Sequence, residues 1–281
     1  MSNANKRVWI AGANGTLGRV LVNRFNHTTD YKLLTSDIDV PIDDLAAVNR
    51  FADINHPDVI INCAALTDVK ECEANPEEAY RVNAIGARNL AVAAKRISAR
   101  LIYISSDDVF TGKNKTPLNE FDKPEPLSVY GKSKLAGEHF VETLTDKHVI
   151  VRSSWLYGHG HRNFVDKVLS CARAGETIVL PDDGYSSPTS SIALADFISY
   201  MIEAKSYGVY HASCEGYCTR EEYVREIMSI AGITDYKLTV EDEYMRPSFT
   251  PLDNMMLHIT HEYQMPEWKE ALRAYIMEEG Q

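Results

Sequence analysis

The sequence predicts an α/β fold, a doubly wound parallel sheet with a smaller C-terminal lobe. Three observations carry that expectation. Short β-branched runs alternate with segments of helical spacing through the first half of the chain, the pattern of parallel strands joined by crossover helices. A glycine-rich loop follows the first run directly and opens a helical segment. After about residue 152 the alternation loosens into clusters of Gly, Pro, Ser and Asp, with no Gly/Ser or Pro-rich linker.

The elements follow in order. Residues 7–11, R-V-W-I-A, read as a buried strand, an apolar run stopped by glycine. An amphipathic segment runs from the glycine loop to about residue 25. Residues 31–35 form the second strand, 44–54 a helix and 59–62 the third strand. Residues 76–96 carry helical spacing, 101–104 are the fourth strand, 128–144 a helix and 149–151 the fifth strand. Helical stretches return at 192–204, 219–231 and 266–279. The expected division is residues 1–152 for the sheet domain and 153–281 for the smaller lobe, with about 189–212 returning to the sheet. No internal repeat interrupts this order.

The 281 residues suffice for one large α/β unit or two modest lobes. A formal net charge of −11 excludes a general nucleic-acid binder, which needs a basic surface to meet phosphates. A local basic pocket can still hold an anionic small molecule. No apolar run approaches the ~20 residues that span a bilayer. The opening M-S-N-A-N-K-R lacks the apolar core of a signal peptide, so neither a membrane nor secretion is expected. Cys63, Cys72, Cys171, Cys214 and Cys218 make an odd set without a small secreted framework, which reads as reduced thiols in the cytoplasm. Cys214 and Cys218 have no second Cys/His pair at zinc spacing nearby, so no metal is expected.

G-A-N-G-T-L-G places Gly12, Gly15 and Gly18 between a strand and a helix. Glycines let the backbone approach a pyrophosphate closely, and the helix N-terminus offers N–H groups and partial positive charge. This is the Rossmann-type dinucleotide site. Asp37 lies 19 residues beyond Gly18, near the spacing of the acid that binds an adenosine ribose, and Asp39 follows it. A carboxylate on the ribose favours NADH. The neighbouring Thr35 and Ser36 hydroxyls tolerate the extra phosphate of NADPH. Both cofactors stay open, as does the choice between Asp37 and Asp39.

Tyr130-Gly131-Lys132-Ser133-Lys134 is Y-x-x-x-K on a helical segment, so Tyr130 and Lys134 share a face. A lysine ammonium stabilises a phenolate and is expected to lower the tyrosine's pKa. Such a tyrosine can protonate an alkoxide as hydride reaches a carbonyl carbon. Before it, I-S-S-D-D-V-F at 104–110 ends a strand on two hydroxyls and two carboxylates, at the edge where ligands of such sheets sit.

These motifs, with I-N-C-A-A at 61–65 and Y-G-K-S-K-L-A-G-E, resemble an extended short-chain dehydrogenase/reductase. That resemblance implies that Ser106 hydrogen-bonds the substrate carbonyl beside Tyr130, that Lys134 holds the nicotinamide ribose, and that Asp107 and Asp108 face the substrate. R-S-S-W-L-Y-G at 152–158, N-F-V at 163–165, S-P-T at 187–189, R-P-S-F-T-P-L-D-N at 246–254 and M-P-E-W-K-E-A-L at 265–272 narrow it. This series resembles the dTDP-4-dehydrorhamnose reductase family along nearly the whole chain. By that resemblance Trp155 contacts the sugar. Gly15, Thr16, Leu17, Asp39, Val40, Ala64, Ala65 and Thr67 line the cofactor. The implied activity is NAD(P)H-dependent reduction of the C4 keto group of a dTDP-4-keto-6-deoxy-hexose, dTDP-4-dehydrorhamnose to dTDP-L-rhamnose, in nucleotide-sugar and cell-surface polysaccharide biosynthesis. Helices outside a parallel sheet can pair, so a homodimer stays open with no interface named.

Three departures stand out. The family's Thr-Asp-Tyr is Ser106-Asp107-Asp108 here, which keeps the hydroxyl and replaces an aromatic wall with a carboxylate. The family's D-Q-x-G-x-P-T is Asp183-Gly184-Tyr185-Ser186-Ser187-Pro188-Thr189, without the glutamine. Arg19 and Val20 stand where some members carry an acid for an interface magnesium, so that metal is not expected. Two rival readings remain. A sugar-nucleotide 4,6-dehydratase or epimerase would use Asp107 and Asp108 as acid and base. A non-catalytic NADP-binding regulatory subunit would keep the fold alone.

Overall fold

The structure is a computed structural model that describes residues 5–113, 115–160, 163–181, 184–241 and 247–279. Residues 1–4 of the N-terminal lead, together with Asp183 and Arg246, which open two of the motif segments, lie outside the described residues.

Six strands form the central sheet: β1 (Lys6–Ala11), β2 (Tyr31–Ser36), β3 (Val59–Asn62), β4 (Arg100–Ser106), β5 (His148–Ser153) and β6 (Gly208–His211). All pairings are parallel, in the order β6-β5-β4-β3-β1-β2. This is the doubly wound parallel sheet that the alternation predicts. Covering both faces explains the unbroken apolar runs: Val8, Trp9 and Ile10 of β1 and Ile60 and Ile61 of β3 are wholly buried. The strand order reverses between β1 and β3, which opens a crevice at the carboxyl edge.

Helices α1 (Thr16–Asn26), α2 (Leu45–Asn55), α3 (Val69–Ala74), α4 (Pro76–Tyr80), α5 (Gly86–Ile97) and α6 (Val129–Leu144) belong to the first part of the chain. Those of the second part are α7 (Phe164–Arg173), α8 (Ser191–Glu203), α9 (Arg220–Ala231), α10 (Met255–Thr260) and α11 (Trp268–Glu279). One core packs α1, α7, α8, α9 and α11 on one sheet face. A second packs α2, α5 and α6 on the other. After β5 the chain builds outer segments, then returns through α8 to lay β6 beside β5.

Three details differ from the sequence reading. Residues 76–96 are not one regular helix: a π-helical turn, Arg81–Ile85, separates α4 from α5. The wider turn carries Asn83, whose side chain holds Leu66 across the crevice edge, so a local hydrogen-bond gain offsets the irregular turn. Helices α3 and α7 were not anticipated, although both carry cap signals. Asp68 accepts from Glu71 N, and Asn163 with Asp166 forms a capping box. Thr177–Pro181 pairs in parallel with Lys237–Glu241 outside the main sheet. That pairing joins distant segments and leaves no local signal. No helix among the described residues is long and apolar enough to cross a membrane.

Candidate active site

The glycine loop lies against the end of β3. Gly12 has φ +81°, and a Cβ there would sit 2.5 Å from Ala64 N, so only glycine fits. Backbone N–H groups of Gly12 and Ala13 donate to Ser36 O at the end of β2. Gly15 caps α1 without a side-chain acceptor, and the first turn of α1 carries no acid. The N–H groups at this helix start therefore suit an anion such as a dinucleotide pyrophosphate. Thr16 is half-buried at the opening of α1, while Gly18 and the Leu17 side chain are buried in it. Leu17 thus offers its backbone, not its side chain. Ala64 and Ala65 are half-buried and Thr67 is exposed beyond β3; Val40 packs at the edge of the second core.

Both candidate ribose acids sit at this mouth, held by backbone donors. Asp37 Oδ2 accepts from Asn14 N at 2.9 Å, and its Oδ1 accepts from Ile38 N at 3.0 Å. Asp39 Oδ1 accepts from Asp37 N at 2.7 Å. Asp37 therefore ties the loop after β2 to the glycine loop.

At the end of β4, Ser106 keeps an extended backbone and a short 3-10 turn, Asp107–Val109, follows. Ser106 Oγ accepts from Asp108 N at 3.2 Å and donates to Asp107 Oδ1 at 3.1 Å. Asp107 does not stand open to the crevice. Its Oδ2 accepts from Ser186 Oγ at 2.8 Å and from Thr250 Oγ1 at 2.6 Å, and all these groups are buried.

Helix α6 brings Tyr130 to the same place. Ser128 caps it by accepting from Gly131 N at 3.0 Å. A Cβ on Gly131 would collide with the Asp108 carbonyl oxygen, so glycine allows α6 to press against the turn. The Ser106 hydroxyl lies close enough to Tyr130 to favour its phenolate. The expected lowering of the tyrosine's pKa is not found. Burial pushes it up, followed by the negative charge of Asp108, and the nearby Ser106 hydroxyl only partly opposes them. Lys134 is buried; its Nζ donates to Ile104 O at 2.6 Å and lies 4.4 Å from the Tyr103 ring centre. Burial lowers its pKa to about 8, opposed chiefly by the Glu138 charge.

Four buried residues around this site were not singled out from the sequence. Asn83 Nδ2 donates to Leu66 O at 3.0 Å and to Ser133 Oγ at 2.9 Å, and its Oδ1 accepts from Leu66 N at 2.8 Å. Glu138 takes Arg152 in two hydrogen bonds and also accepts from Ser105. Arg152 Nη1 reaches His211 Nε2 at 3.5 Å. His211 Nδ1 faces the carbonyls of Leu118 and Asp253, so the proton sits on Nδ1 and Nε2 accepts. The sequence signal was present for two of them: Glu138 closes Y-G-K-S-K-L-A-G-E and Arg152 opens R-S-S-W.

Trp155 follows β5, whose last residue, Ser153, pairs in register with Ser106. It is half-buried with φ +39°, an uncommon conformation for a bulky side chain. The Arg220 guanidinium lies 3.5 Å from its ring centre, and Tyr223 packs at 6.3 Å. Among the described residues no cluster of three or more His, Cys, Asp or Glu could hold a metal ion.

A family model described as the RmlD substrate binding domain matches residues 6–280. The chain is 33% identical over 276 residues to the spore coat polysaccharide biosynthesis protein SpsK of Bacillus subtilis, covering 97% of both chains. The crystal structure of a dTDP-4-dehydrorhamnose reductase from Clostridium acetobutylicum superposes with a TM-score of 0.93 at 38% identity, covering 98% of this chain and 100% of that one. The dTDP-4-dehydrorhamnose reductase of Bacillus anthracis, solved in complex with NADP, gives 0.93 at 36% identity over 98% of this chain and 99% of that one. These matches span almost the whole chain, and the chain belongs to the dTDP-4-dehydrorhamnose reductase family.

Proposed function

We propose that this protein reduces the C4 keto group of a dTDP-4-keto-6-deoxy-hexose with NADPH or NADH, in nucleotide-sugar biosynthesis. The observation that carries this reading is the meeting of Ser106 and Tyr130 at the carboxyl edge of the sheet, where α6 presses against the turn after β4, with Lys134 buried on the same helix. Relatives named as reductases of such sugars, one of them bound to NADP, support it.

The start of α1 and the glycine loop suit the pyrophosphate, and Asp37 and Asp39 stand where the adenosine half would lie. Bound reduced nicotinamide supplies the hydride. The remaining work belongs to the chain. Ser106 donates to the keto oxygen and favours the charge that develops there. Tyr130 gives that oxygen its proton, so the C=O double bond becomes a C–H and an O–H bond, and a phenolate is left. The raised pKa keeps Tyr130 protonated at neutral pH. Lys134, at about 8, still carries its proton there and offsets the phenolate charge. Trp155 meets the sugar at the end of β5.

The dehydratase reading needs Asp107 as an acid, but three hydroxyls already bind that carboxylate. In the same proposal residues 153–281 form the substrate lobe, and the protein works as a cytoplasmic enzyme, with homodimerisation open to sizing in solution. Deuterium transfer tests the reaction. NADPH deuterated at nicotinamide C4 should place the label on sugar C4, with no loss of water. Label appearing only at C6, or no transfer with a folded protein that binds NADPH, would reject it.

A further inference from the structure

Asp107 joins three parts of the chain that are far apart in sequence. Its Oδ1 takes the Ser106 hydroxyl from β4, and its Oδ2 takes hydroxyls from Ser186, 79 residues on, and Thr250, 143 residues on. Ser186 is wholly buried, Thr250 is 3% exposed and Asp107 5%. An ionised carboxylate only accepts, and hydroxyl bonds to it are short and strong out of water. The two contacts on Oδ2, at 2.6 and 2.8 Å, are shorter than the 3.1 Å contact with Ser106.

Ser106 has one proton to give. Asp108 N–H is a donor, so Ser106 must accept there. Its proton can go to Asp107, to the Tyr130 oxygen, or to a substrate oxygen held beside Tyr130. The division depends on how much of the Asp107 charge is already met. Ser186 and Thr250 meet it from the other side.

We propose that Asp107 is a positioning residue: it fixes the Ser106 hydroxyl, and the Ser186 and Thr250 hydroxyls hold its demand low enough for Ser106 to turn its proton to the substrate oxygen. The serine is then ready only when the two C-terminal segments are seated on the end of β4. This rests on the reading of Ser106 as the group that meets the keto oxygen. Removing the two distant hydroxyls concentrates the carboxylate on Ser106 and costs turnover, although neither is placed at the sugar or the cofactor.

The test compares Ser186→Ala, Thr250→Val and their combination with the hydroxyl-keeping Ser186→Thr and Thr250→Ser, each in wild type and in Ser106→Ala. NADPH and dTDP-4-dehydrorhamnose are the probes. In wild type the combined variant should lose roughly tenfold in kcat, as expected for a misaligned donor. KM for the sugar and Kd for NADPH should stay within about twofold, and Thr250→Ser should keep the rate. In Ser106→Ala the same changes should add almost nothing, because the groups act through that serine. Losses confined to sugar KM, equal losses with Thr250→Ser, or a full further loss on Ser106→Ala would overturn the proposal. If the combined variant does not fold, Thr250→Val alone gives the same comparison. A wild-type protein that does not turn over the sugar would instead sink the reductase reading itself.

Discussion

Glu138 and Arg152 form a buried, two-pronged ion pair beneath the end of β4, with Nε at 3.0 Å from Oε1 and Nη2 at 2.7 Å from Oε2. Arg152 pairs in register with Ser105, which donates to the same carboxylate. One side chain of α6 therefore holds β4 and β5 at the height of the site. Glu138 is also four residues beyond Lys134, and its charge favours the lysine's protonated form.

Glu138→Gln leaves the Arg152 charge buried without its counterion. Loss of one partner of a buried pair costs about 3–5 kcal/mol. Urea unfolding at pH 7 should show that loss. Replacing both by methionine should recover most of it, because no charge is then left unpaired.

The same residue bears on pH dependence. In the proposed reaction Lys134 acts in its protonated form, and its pKa is lowered to about 8. The kcat/KM profile of the free enzyme should therefore fall as pH rises through about 8. Glu138 raises that pKa, so in Glu138→Gln the fall should begin at lower pH. A limb that stays in place would separate Glu138 from Lys134.

His211 is wholly buried, and burial with the Arg152 charge beside it lowers its pKa to about 3. The Leu118 and Asp253 carbonyls face its ring and favour its protonated form, the Phe110 ring lies 5.8 Å from it, and Glu120 accepts from its backbone N–H. The folded pKa is below the unfolded value of roughly 6.5, so the folded state gains from neutral His211 above that pH. As pH falls from there towards about 3 this contribution is lost. The slope is about 1.4 kcal/mol per pH unit for one such group. Unfolding free energy measured between pH 7 and 5 should be flatter in His211→Asn.

Tyr130→Phe removes the proposed proton donor and keeps the ring. Turnover should fall by roughly 10²–10⁴, the usual worth of a positioned acid. NADPH affinity, read by fluorescence, should change little.

Much of the fold is legible because its signals are local. The apolar runs of β1 and β3, the glycine loop and the Tyr130–Lys134 spacing each fit within a few residues. So does the hydroxyl of Ser106 at the strand end. The partners of Asp107 are not legible, since Ser186 and Thr250 lie 79 and 143 residues away. Nor is the direction of the Tyr130 shift, because burial and the Asp108 charge set it, not the lysine that shares its helix face. The π turn at Asn83 follows from a contact with Leu66 across the crevice, which helical spacing does not reveal.

The most direct measurement is the loss of reduced-nicotinamide absorbance with dTDP-4-dehydrorhamnose, run separately with NADPH and NADH. One cofactor oxidised per sugar consumed, abolished in Tyr130→Phe, is the expected result. A folded protein that binds the cofactor and the sugar yet oxidises none would contradict the account.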